Sequence, residues 1–280
     1  MIEGNKAPVI TFINMKGGVG KTTLCIGIGE YLANELGKKV LILDIDPQFN
    51  ATQSLLDKYE LVDQYLSTFR KEKTIRKLFA TTTDVYQKNT LIGKEEVIHK
   101  FNDNLHMVFG DINLIFDNNT MDNTRIKRVL KFINGNSLKD EYDYILIDSP
   151  PTISMYTDAS IVASDYYIVP VKIDNYSILG VTNLISVITN LKADEELNIE
   201  PLGVIYTNLD DKLTLKTQTL KDEFELEENI EKLYIFQNGT TYVRDLQVGG
   251  KGNIASHYKK SREDIALICE ELEAKLRGEI

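Results

Sequence analysis

Six short runs of mostly apolar, often β-branched residues recur along the chain, and the segments between them have helical spacing of apolar residues. The runs are Val9–Asn14, Lys39–Asp46, Leu105–Gly110, Asp143–Asp148, Tyr166–Val171 and Leu202–Asn208. A strand that is apolar on both faces must be covered on both faces, which is typical of parallel sheets with crossover helices. The pattern predicts an α/β fold with a doubly wound, mostly parallel sheet flanked by helices. A weaker seventh strand is predicted at Leu233–Asn238.

The chain of 280 residues suits one large α/β domain, and no Pro-, Gly- or Ser-rich linker divides it, so we expect a single domain over residues 1–280. Residues 56–104 are polar and charged, and we predict a helical insertion there. The last helix is predicted over Arg262–Arg277 with Ser261 as its N-cap. Its opposite face is rich in Glu, so we expect its apolar stripe to pack on the sheet and not on a membrane. That stripe consists of Ile265, Ile268, Leu272 and Leu276.

The composition limits the classes of partner. A formal net charge of -10 argues against a protein whose whole surface coats nucleic acid or anionic lipid, so any such contact requires a local patch. The two cysteines, Cys25 and Cys269, lie far apart in apolar, helical surroundings, and we interpret them as core residues in a reducing compartment. The N-terminus is charged where a signal peptide requires an apolar run. We therefore expect a soluble, cytoplasmic protein.

A glycine-rich loop, GGVGKTT, directly follows the first predicted strand and precedes a helical pattern, which is the context that a phosphate-binding loop requires. Its glycines let the backbone approach phosphates, and the helix N-terminus adds partial positive charge. Lys21 would meet the β- and γ-phosphates, and the Thr22 hydroxyl would hold Mg²⁺. Met15 stands where the motif ordinarily opens with glycine, and Lys16 follows it. The predicted phosphate-contacting residues are Gly17, Gly18, Val19, Gly20, Lys21, Thr22 and Thr23.

Acidic residues end two of the predicted strands. Asp44 and Asp46 are two residues apart at the end of the second strand, so both should project to the same side. Asp148 follows four apolar residues, the pattern of a Walker B aspartate that binds Mg²⁺ through water. Ligands of open α/β folds bind at the carboxyl ends of the strands, so we predict that these carboxylates and Thr22 form a magnesium site beside the loop.

Four motifs resemble, in order and spacing, the ParA/Soj branch of the deviant Walker A ATPases, a P-loop NTPase group that also includes MinD and the nitrogenase iron protein. The motifs are KGGVGKTT, DIDPQFNAT, YDYILIDSPP and YYIVPVKIDNYSILGVTNL. The resemblance extends from Val9 to the last helix. It implies ATP and Mg²⁺ as ligands and a sandwich homodimer in which Lys16 reaches the partner's ATP. A lysine supplied by the partner would offset the repulsion between two facing nucleotides only when both sites are filled.

The same resemblance assigns further roles in the site. Asp46 corresponds to the aspartate that orients the attacking water, and Asp44 would support the Mg²⁺ shell. Because a carboxylate there is a weak base at neutral pH, we expect slow hydrolysis that acts as a timer for the dimer. Adenine recognition would involve Thr207, Asn208 and the region Phe236–Asn238. Asn208 could instead be a turn residue before Asp210.

ParA-like proteins resemble one another in binding DNA without sequence preference through basic residues of the C-terminal half. Lys212 and Arg244 match that pattern, and four downstream residues could extend the patch or be ordinary solvated side chains: Lys251, Lys259, Lys260 and Arg262. Such a patch would bind by counterion release. The family's IPR stretch is IFQN here, so cargo preference or DNA affinity could differ. Few residues precede the first strand, so we expect no N-terminal helix-turn-helix domain.

The resemblance therefore implies an ATPase for plasmid or chromosome partition, associated with the nucleoid and stimulated by a ParB-like centromere-binding protein. A MinD-like membrane-positioning ATPase is the first alternative, although it needs a basic amphipathic C-terminal helix and EELEAKLRGEI is acid-rich. A cluster protein like the nitrogenase iron protein is excluded, because Cys25 and Cys269 are not placed near a dimer axis. A ParA-like ATPase that positions another cargo remains an open alternative.

Overall fold

The computed structural model describes residues 6–80, 91–117, 124–249 and 252–280. In this part of the chain seven strands form one sheet in the order β3-β4-β2-β5-β1-β6-β7. Every neighbouring pair is parallel except β3 and β4. The α/β fold with a mostly parallel sheet is thereby confirmed. The strands are β1 Val9–Phe12, β2 Val40–Asp44, β3 Ile98–Lys100, β4 Leu105–Val108, β5 Tyr144–Asp148, β6 Tyr166–Val171 and β7 Glu200–Tyr206.

Helices connect the strands and cover both faces of the sheet. The longer ones are α1 Lys21–Asn34, α2 Asn50–Lys58, α3 Arg128–Gly135, α4 Met155–Ala163, α5 Ser177–Asp194, α6 Leu215–Glu225 and α7 Lys259–Leu276. Short helical turns lie at Val62–Gln64, Tyr65–Phe69, Arg70–Glu72, Arg76–Phe79, Lys94–Glu96, Leu114–Asp117, Arg125–Lys127, Leu138–Glu141, Glu228–Glu231, Arg244–Gln247 and Ala255–His257. No helix in the described ranges has the length and apolarity that a membrane crossing would require.

Alternate residues of the central strands pack into different parts of the core. On β1, Ile10 joins a cluster with α1 and α7, whereas Val9 joins the cluster on the opposite face with α4. Consecutive strand residues point to opposite sides of the sheet, so both sides of an apolar strand must be covered. This two-sided burial is the physical reason that the apolar runs predicted the strands correctly.

The seventh strand lies elsewhere than predicted. Within the described chain, Leu233–Asn238 makes a single parallel bridge, Ile235 to Val204, and not a strand. The remaining member of the sheet is β3, an antiparallel edge strand inside the stretch 56–104 for which we predicted helices. Because β3 has three residues, two of them His99 and Lys100, its sequence lacks the apolar run that identified the others. The short helices between residues 62 and 79 lie in the same stretch.

The last helix begins earlier than predicted. α7 starts at Lys259, so Ser261 lies inside its first turn and is not its N-cap. Ser261 is buried, and its hydroxyl has no hydrogen-bond partner among the described residues. Tyr258 occupies the N-cap position, and its hydroxyl donates to the carbonyl oxygens of Asp245 and Gly252, both at 2.9 Å. The apolar stripe is buried against α1, and both cysteines are buried, unbridged thiols.

Gly203 on β7 is a position that only glycine fits. Its φ is +147°, and a Cβ there would overlap the carbonyl oxygen of Tyr234. We expect Gly203→Ala to lower the free energy of unfolding by about 2–4 kcal/mol, because it adds backbone strain to overpacking. Urea denaturation measures the change.

Gly180 offers a matched control in α5, because a Cβ there meets no atom within 4 Å. Gly180→Ala should leave stability unchanged or raise it by up to about 1 kcal/mol, since alanine has the higher helix propensity. Equal destabilisation by the two substitutions would contradict this account.

Candidate nucleotide-binding site

The glycine-rich loop joins the end of β1 to the start of α1 and forms one wall of an open cleft. Gly18 and Gly20 have φ values of +71° and +85°, which favour glycine. A Cβ on Gly20 would also lie 3.3 Å from Cγ2 of Thr207. Gly20 directly precedes the first residue of α1, so the loop presents the helix N-terminus to the cleft.

Lys21 is held under the loop with 6% of its surface exposed. Its ammonium donates to the carbonyl oxygens of Asn14 and Lys16, both at 3.1 Å. Burial lowers the pKa of Lys21, and the carboxylates of Asp148 and Asp46 oppose that shift. The side chain is therefore a pre-positioned cation at the bottom of the cleft.

Thr22 and Asp148 join the loop to the sheet. The Thr22 hydroxyl donates to Oδ2 of Asp148 at 2.7 Å, while Oδ1 of Asp148 is buried without a partner among the described residues. Asp44 is aligned with Asp148 on the neighbouring strand. Oδ2 of Asp44 accepts hydrogen bonds from the backbone N–H and hydroxyl of Thr52 at 2.8 and 2.7 Å, so Asp44 also fixes the first turn of α2.

These carboxylates concentrate negative charge where little water can reach. Burial raises the pKa of Asp148 to about 7, with a further contribution from Asp46. Burial, together with the nearby Asp148, also raises the pKa of Asp44 well above its ordinary value. Like charges that share a dry site disfavour each other's ionised form, and a hard cation would reverse that effect.

The oxygen donors suit a Mg²⁺ ion that is also held by water and phosphate better than a metal ion held by protein side chains alone. In the described ranges, no group of three or more His, Cys, Asp or Glu side chains is arranged to hold a metal ion. Mg²⁺ is usually bound through one or two carboxylates, waters and substrate phosphates. The unpartnered Oδ1 of Asp148 beside the Thr22 hydroxyl is consistent with that kind of shell.

Asp46 lines the cleft, unlike Asp44 and Asp148. Its side chain is 4% exposed, and its Oδ1 accepts from the backbone N–H of Gln48 at 2.9 Å. Burial raises the pKa of Asp46, and the Gln48 hydrogen bond and Lys21 lower it. The turn that follows reaches α2 through Phe49, whose φ is +43°. Asp46 is therefore aimed at the cleft by a strained turn.

Lys16 has a different environment from Lys21. Its ammonium forms an ion pair with Asp174 in the loop after β6, and about a third of its side chain (34%) is exposed. Exposed apolar side chains follow β5 and β6, the two strands that flank β1: Ile153, Tyr176 and Leu179. The carboxyl edge of the sheet thus presents a lysine and apolar groups outward.

Asn208 lies both at the cleft and in a turn. It lines the cleft, and its φ of +54° makes it a turn residue. Its Oδ1 accepts from Nε2 of Gln247 at 2.9 Å. The region Phe236–Asn238 does not line this cleft, and Asn238 is instead held by two hydrogen bonds to Glu271. The structure thus does not bring Phe236–Asn238 to the predicted adenine side.

The remaining wall was missed at the sequence level. It comprises Leu246, Gln247, Gly249, Gly252 and Asn253, with Gln48, Asn50, Gln53, Ser54 and Asp57 from the region of α2 and Pro151 after β5. Gly249 and Gly252 have φ values of +70° and +78°, so the glycines of VGGKGN are the signal that could have revealed this turn.

The DNA-contact candidates lie on the surface, apart from Lys251, which is outside the described residues. Lys212, Arg244, Lys259, Lys260 and Arg262 are all exposed. Lys259 lies 3.9 Å from Glu263 and Lys260 lies 3.6 Å from Asp264, so each faces an acid one turn away. Arg244 begins the short helix Arg244–Gln247, whose other residues Leu246 and Gln247 line the cleft.

Known proteins share this sequence and fold. Residues 7–200 match the family model described as AAA domain. The chain is 30% identical over 217 residues to the sporulation initiation inhibitor protein Soj of Bacillus subtilis, covering 76% of this chain and 78% of Soj. A putative plasmid partition protein of Borrelia burgdorferi bound to AMPPNP has a TM-score of 0.69 at 20% identity, covering 95% of this chain and 99% of that one. Cobyrinic acid a,c-diamide synthase of Mycobacterium smegmatis with bound ATP analogue and magnesium has a TM-score of 0.69 at 21% identity, covering 97% and 95%.

The sheet order, the glycine-rich loop and the acidic strand ends define a P-loop NTPase. Within that class, the family match and the identity to Soj show that the chain belongs to the ParA/Soj-type partition ATPase family. The resemblance inferred from the four motifs is confirmed. The two solved structures are below 25% identity and show the fold alone.

Asp148→Asn tests the charge balance of the site. The pKa of Asp148 is about 7 when folded and 3.8 when free, so the folded state retains a proton that the unfolded state has lost. Stability of the nucleotide-free protein should therefore fall as the pH rises through that window, and the neutral Asn should relieve the loss. We expect Asp148→Asn to raise the free energy of unfolding at pH 8 by an amount on the order of 1–3 kcal/mol. The gain should shrink toward pH 4 in urea titrations.

The exposed Asp140 provides the control, because Asp140→Asn removes the same charge from the surface. It should change stability by less than about 0.5 kcal/mol at either pH. A gain for Asp148→Asn that did not vary with pH would show that the carboxylate is not the source.

Proposed function

We propose that this chain is a ParA-like ATPase for plasmid or chromosome partition. It binds ATP with Mg²⁺, forms an ATP-dependent sandwich homodimer on non-specific DNA, and releases the DNA when a ParB-like partner stimulates hydrolysis. The single observation that carries the proposal is the different placement of two lysines on one loop. Lys21 is buried under its own loop, and Lys16 is partly exposed at the carboxyl edge of the sheet.

The proposed ATP site uses the cleft beside the glycine-rich loop. The backbone of Gly17–Thr23 and the N-terminus of α1 would bind the phosphates, with Lys21 as the cation at the β- and γ-positions. Thr22 and Asp148 would hold Mg²⁺, which neutralises charge on the phosphates when bound. Asp44 would support that shell from behind while it fixes α2 through Thr52. Asn208 would contribute to the adenine side.

In the proposed hydrolysis step Asp46 positions the attacking water. Asp46 is the predicted carboxylate that lines the cleft, and its hydrogen bond from Gln48 fixes its orientation. A single carboxylate held for positioning supplies little general-base catalysis, so turnover is slow and electrostatic stabilisation dominates. A slow step keeps the dimer closed for long enough to act as a timer.

The proposed dimer forms across the carboxyl edge of the sheet. There Lys16 exchanges its internal partner, Asp174, for the phosphates in the opposite protomer. The exposed side chains of Ile153, Tyr176 and Leu179 would supply apolar contact area on that edge. ATP-dependent closure then requires that an intramolecular ion pair be replaced, so the nucleotide-free protein does not dimerise through this surface.

The proposed DNA surface adjoins the nucleotide cleft directly. Arg244 is exposed on the same short helix whose Leu246 and Gln247 line the cleft, and Gln247 binds Asn208. The loop that leads to Lys212 is joined to the chain before Arg244 by hydrogen bonds of Leu209 to Thr240 and Tyr242. A change at the nucleotide therefore has a short route to both basic residues. Lys251, Lys259, Lys260 and Arg262 would extend the patch.

The membrane-positioning alternative has less support. The apolar stripe of α7 is buried against α1 and is not available for lipid. A member of the family that positioned another cargo would use the same cleft and dimer, and the exposed Arg244 and Lys212 favour DNA over that alternative. Association with the nucleoid in the cytoplasm follows from the proposed DNA binding.

Lys16→Ala tests the dimer. We expect the variant to bind ATP as a monomer within about threefold of the parent, because Lys21 and the loop backbone are unchanged. ATP-dependent dimerisation, measured by light scattering, should weaken at least about tenfold, since two facing nucleotides would lose a compensating charge.

Lys131→Ala removes an exposed lysine on α3, away from the carboxyl edge, and should leave dimerisation unchanged. If Lys16→Ala dimerised with ATP as well as this control does, the role of Lys16 in the partner's site would be refuted.

Arg244→Ala tests the DNA surface. We expect weaker binding to arbitrary duplex DNA in the presence of ATP, and a slope of log affinity against log salt that is smaller by about 1, as for the loss of one phosphate contact. Fluorescence anisotropy over a salt series provides the measurement. Arg277→Ala, at the C-terminal end of α7, is the matched control and should leave the slope unchanged. Identical slopes for both variants would place the DNA surface elsewhere.

A further inference from the structure

A groove at one end of the sheet carries a concentration of positive charge that the proposed ATPase does not use. Of the eight residues 70–77, five are Lys or Arg and only Glu72 is acidic, in a chain with a net charge of -10. Arg70, Lys71, Arg76 and Lys77 line this basic groove. A local reversal of sign in an acidic chain indicates a specific electrostatic partner.

The basic groove is built on the β4 end of the sheet. Thr74 forms a parallel bridge with Phe109, just after β4, and its hydroxyl donates to Oδ2 of Asp111 at 2.8 Å. Arg70 and Lys71 are exposed, and neither forms an ion pair within the described ranges. Lys77 lies 3.9 Å from Glu96. The floor is thus fixed, while the charges of Arg70 and Lys71 at the rim remain available.

Apolar side chains stand beside these charges. Ile112, Ile115 and Phe116 are 49%, 54% and 74% exposed, and two of them, Ile112 and Phe116, line the groove. Phosphate backbones require cations but make no use of exposed Ile and Phe side chains. The combination fits a protein segment that is both acidic and apolar.

The same chain carries such a segment. The acidic segment, residues 222–231, has six Asp or Glu residues and no Lys or Arg. Leu226 within it is 78% exposed. Glu223, Glu227 and Glu231 form no ion pair with any residue that the structure describes. The acidic segment therefore offers negative charge and an apolar side chain, which complement the cations and apolar side chains of the basic groove.

The two surfaces cannot meet within one molecule. The basic groove adjoins β4, whereas the acidic segment follows β7, on which Phe224 packs against Tyr206. In the sheet order β7 is the fifth strand from β4, which corresponds to about 24 Å at ordinary strand spacing. That separation exceeds both the reach of side chains and the screening length of about 8 Å at physiological salt.

We propose that the acidic segment of one copy docks into the basic groove of a second copy. Since the contact joins two different surfaces, it is heterologous and can continue from copy to copy in a head-to-tail row. Its two surfaces include none of Lys16, Ile153, Tyr176 and Leu179, so it uses different residues from the proposed ATP-dependent dimer. Exposed ion pairs are individually weak and salt-sensitive, so the row forms at high local concentration and low ionic strength.

Charge reversal of each surface tests the contact in nucleotide-free, full-length protein. Sedimentation velocity in about 50 mM salt should show reversible self-association of the parent that disappears near 0.5 M salt. Arg70→Glu with Lys71→Glu brings the net charge of residues 70–77 from +4 to 0, and Glu223→Lys with Glu227→Lys brings that of the acidic segment from −6 to −2. Each double variant alone should self-associate at least about tenfold more weakly, because one of its two surfaces has lost most of its charge.

A mixture of the two double variants is the decisive arm. The unaltered acidic segment of the first variant then meets the unaltered basic groove of the second, so the mixture should form pairs with an affinity near the parental level. Lys131→Glu with Lys216→Glu changes the net charge by the same amount at exposed sites elsewhere and should leave self-association unchanged within about twofold. Unaltered thermal melting would show that the variants are folded.

Three results would overturn the proposal. They are a parent that stays monomeric in low salt at every concentration, association that persists in both double variants, and a mixture that does not recover. If the Arg70 and Lys71 reversal instead weakened binding to duplex DNA without any effect on self-association, the groove would be a nucleic-acid surface and the proposal would be wrong.

Discussion

The contact between the Thr22 hydroxyl and the buried Asp148 carboxylate joins the two halves of the site. Thr22 lies in the first turn of the helix that follows the glycine-rich loop, and Asp148 ends the central strand β5. Because Asp148 is fully buried beside the Asp44 carboxylate, its ionised form is disfavoured, and Lys21 compensates only in part. The fold thus maintains a deficit of positive charge at the place where the Mg²⁺ ion of a bound nucleotide would supply it.

That charge arrangement depends on the packing of the central strands, which the apolar runs in the sequence predicted. Val9 and Ile10 are buried on opposite sides of the sheet, as are their counterparts in β2 and β5, so the runs identified those strands correctly. β3 could not be found in the same way, since it is held by pairing with β4 and has His99 and Lys100 in place of apolar residues. The predicted N-cap of α7 was wrong for a related reason. Ser261 is a suitable cap on local grounds, but the helix begins earlier, after Tyr258, whose side chain is held by tertiary contacts.

For the candidate site, local motifs located the residues that adjoin the loop and strand ends. Lys21, Thr22 and Asp46 line one cleft, because short connections after parallel strands leave little geometric freedom. The wall formed by Leu246, Gln247 and Asn253 was not predicted, since it reaches the cleft only through the packing of a long C-terminal loop. Asn208 shows why the sequence could not choose between two roles for one residue, because it lines the cleft and shapes a turn at the same time.

An ion pair with a buried carboxylate and a half-buried lysine connects this C-terminal wall to the nucleotide elements. Glu30 of α1 binds Lys58 at the end of α2 at 2.5 Å, and Ser256 hydrogen-bonds to both side chains at 3.1 Å. α1 begins at Lys21, α2 follows the turn after Asp46, and Ser256 lies three residues beyond Asn253 of the wall. Breaking a buried pair leaves an uncompensated charge, so the three elements are constrained to move together. A rearrangement at Asp46 would therefore reach the wall and the neighbouring Arg244 through side chains already in contact.

Two kinds of self-contact then follow from different physics in one chain. The proposed nucleotide dimer is symmetric, because each Lys16 would serve the opposite site, and it closes on itself with two copies. The proposed contact between the basic groove and the acidic segment is asymmetric, and the two surfaces lie at opposite ends of the sheet, so it does not close. The first depends on a ligand and the second on ionic strength and local concentration. A protein with both contacts could lengthen or shorten its head-to-tail rows without any change in the bound nucleotide. The place where copies accumulate would then be controlled separately from the time at which each dimer opens.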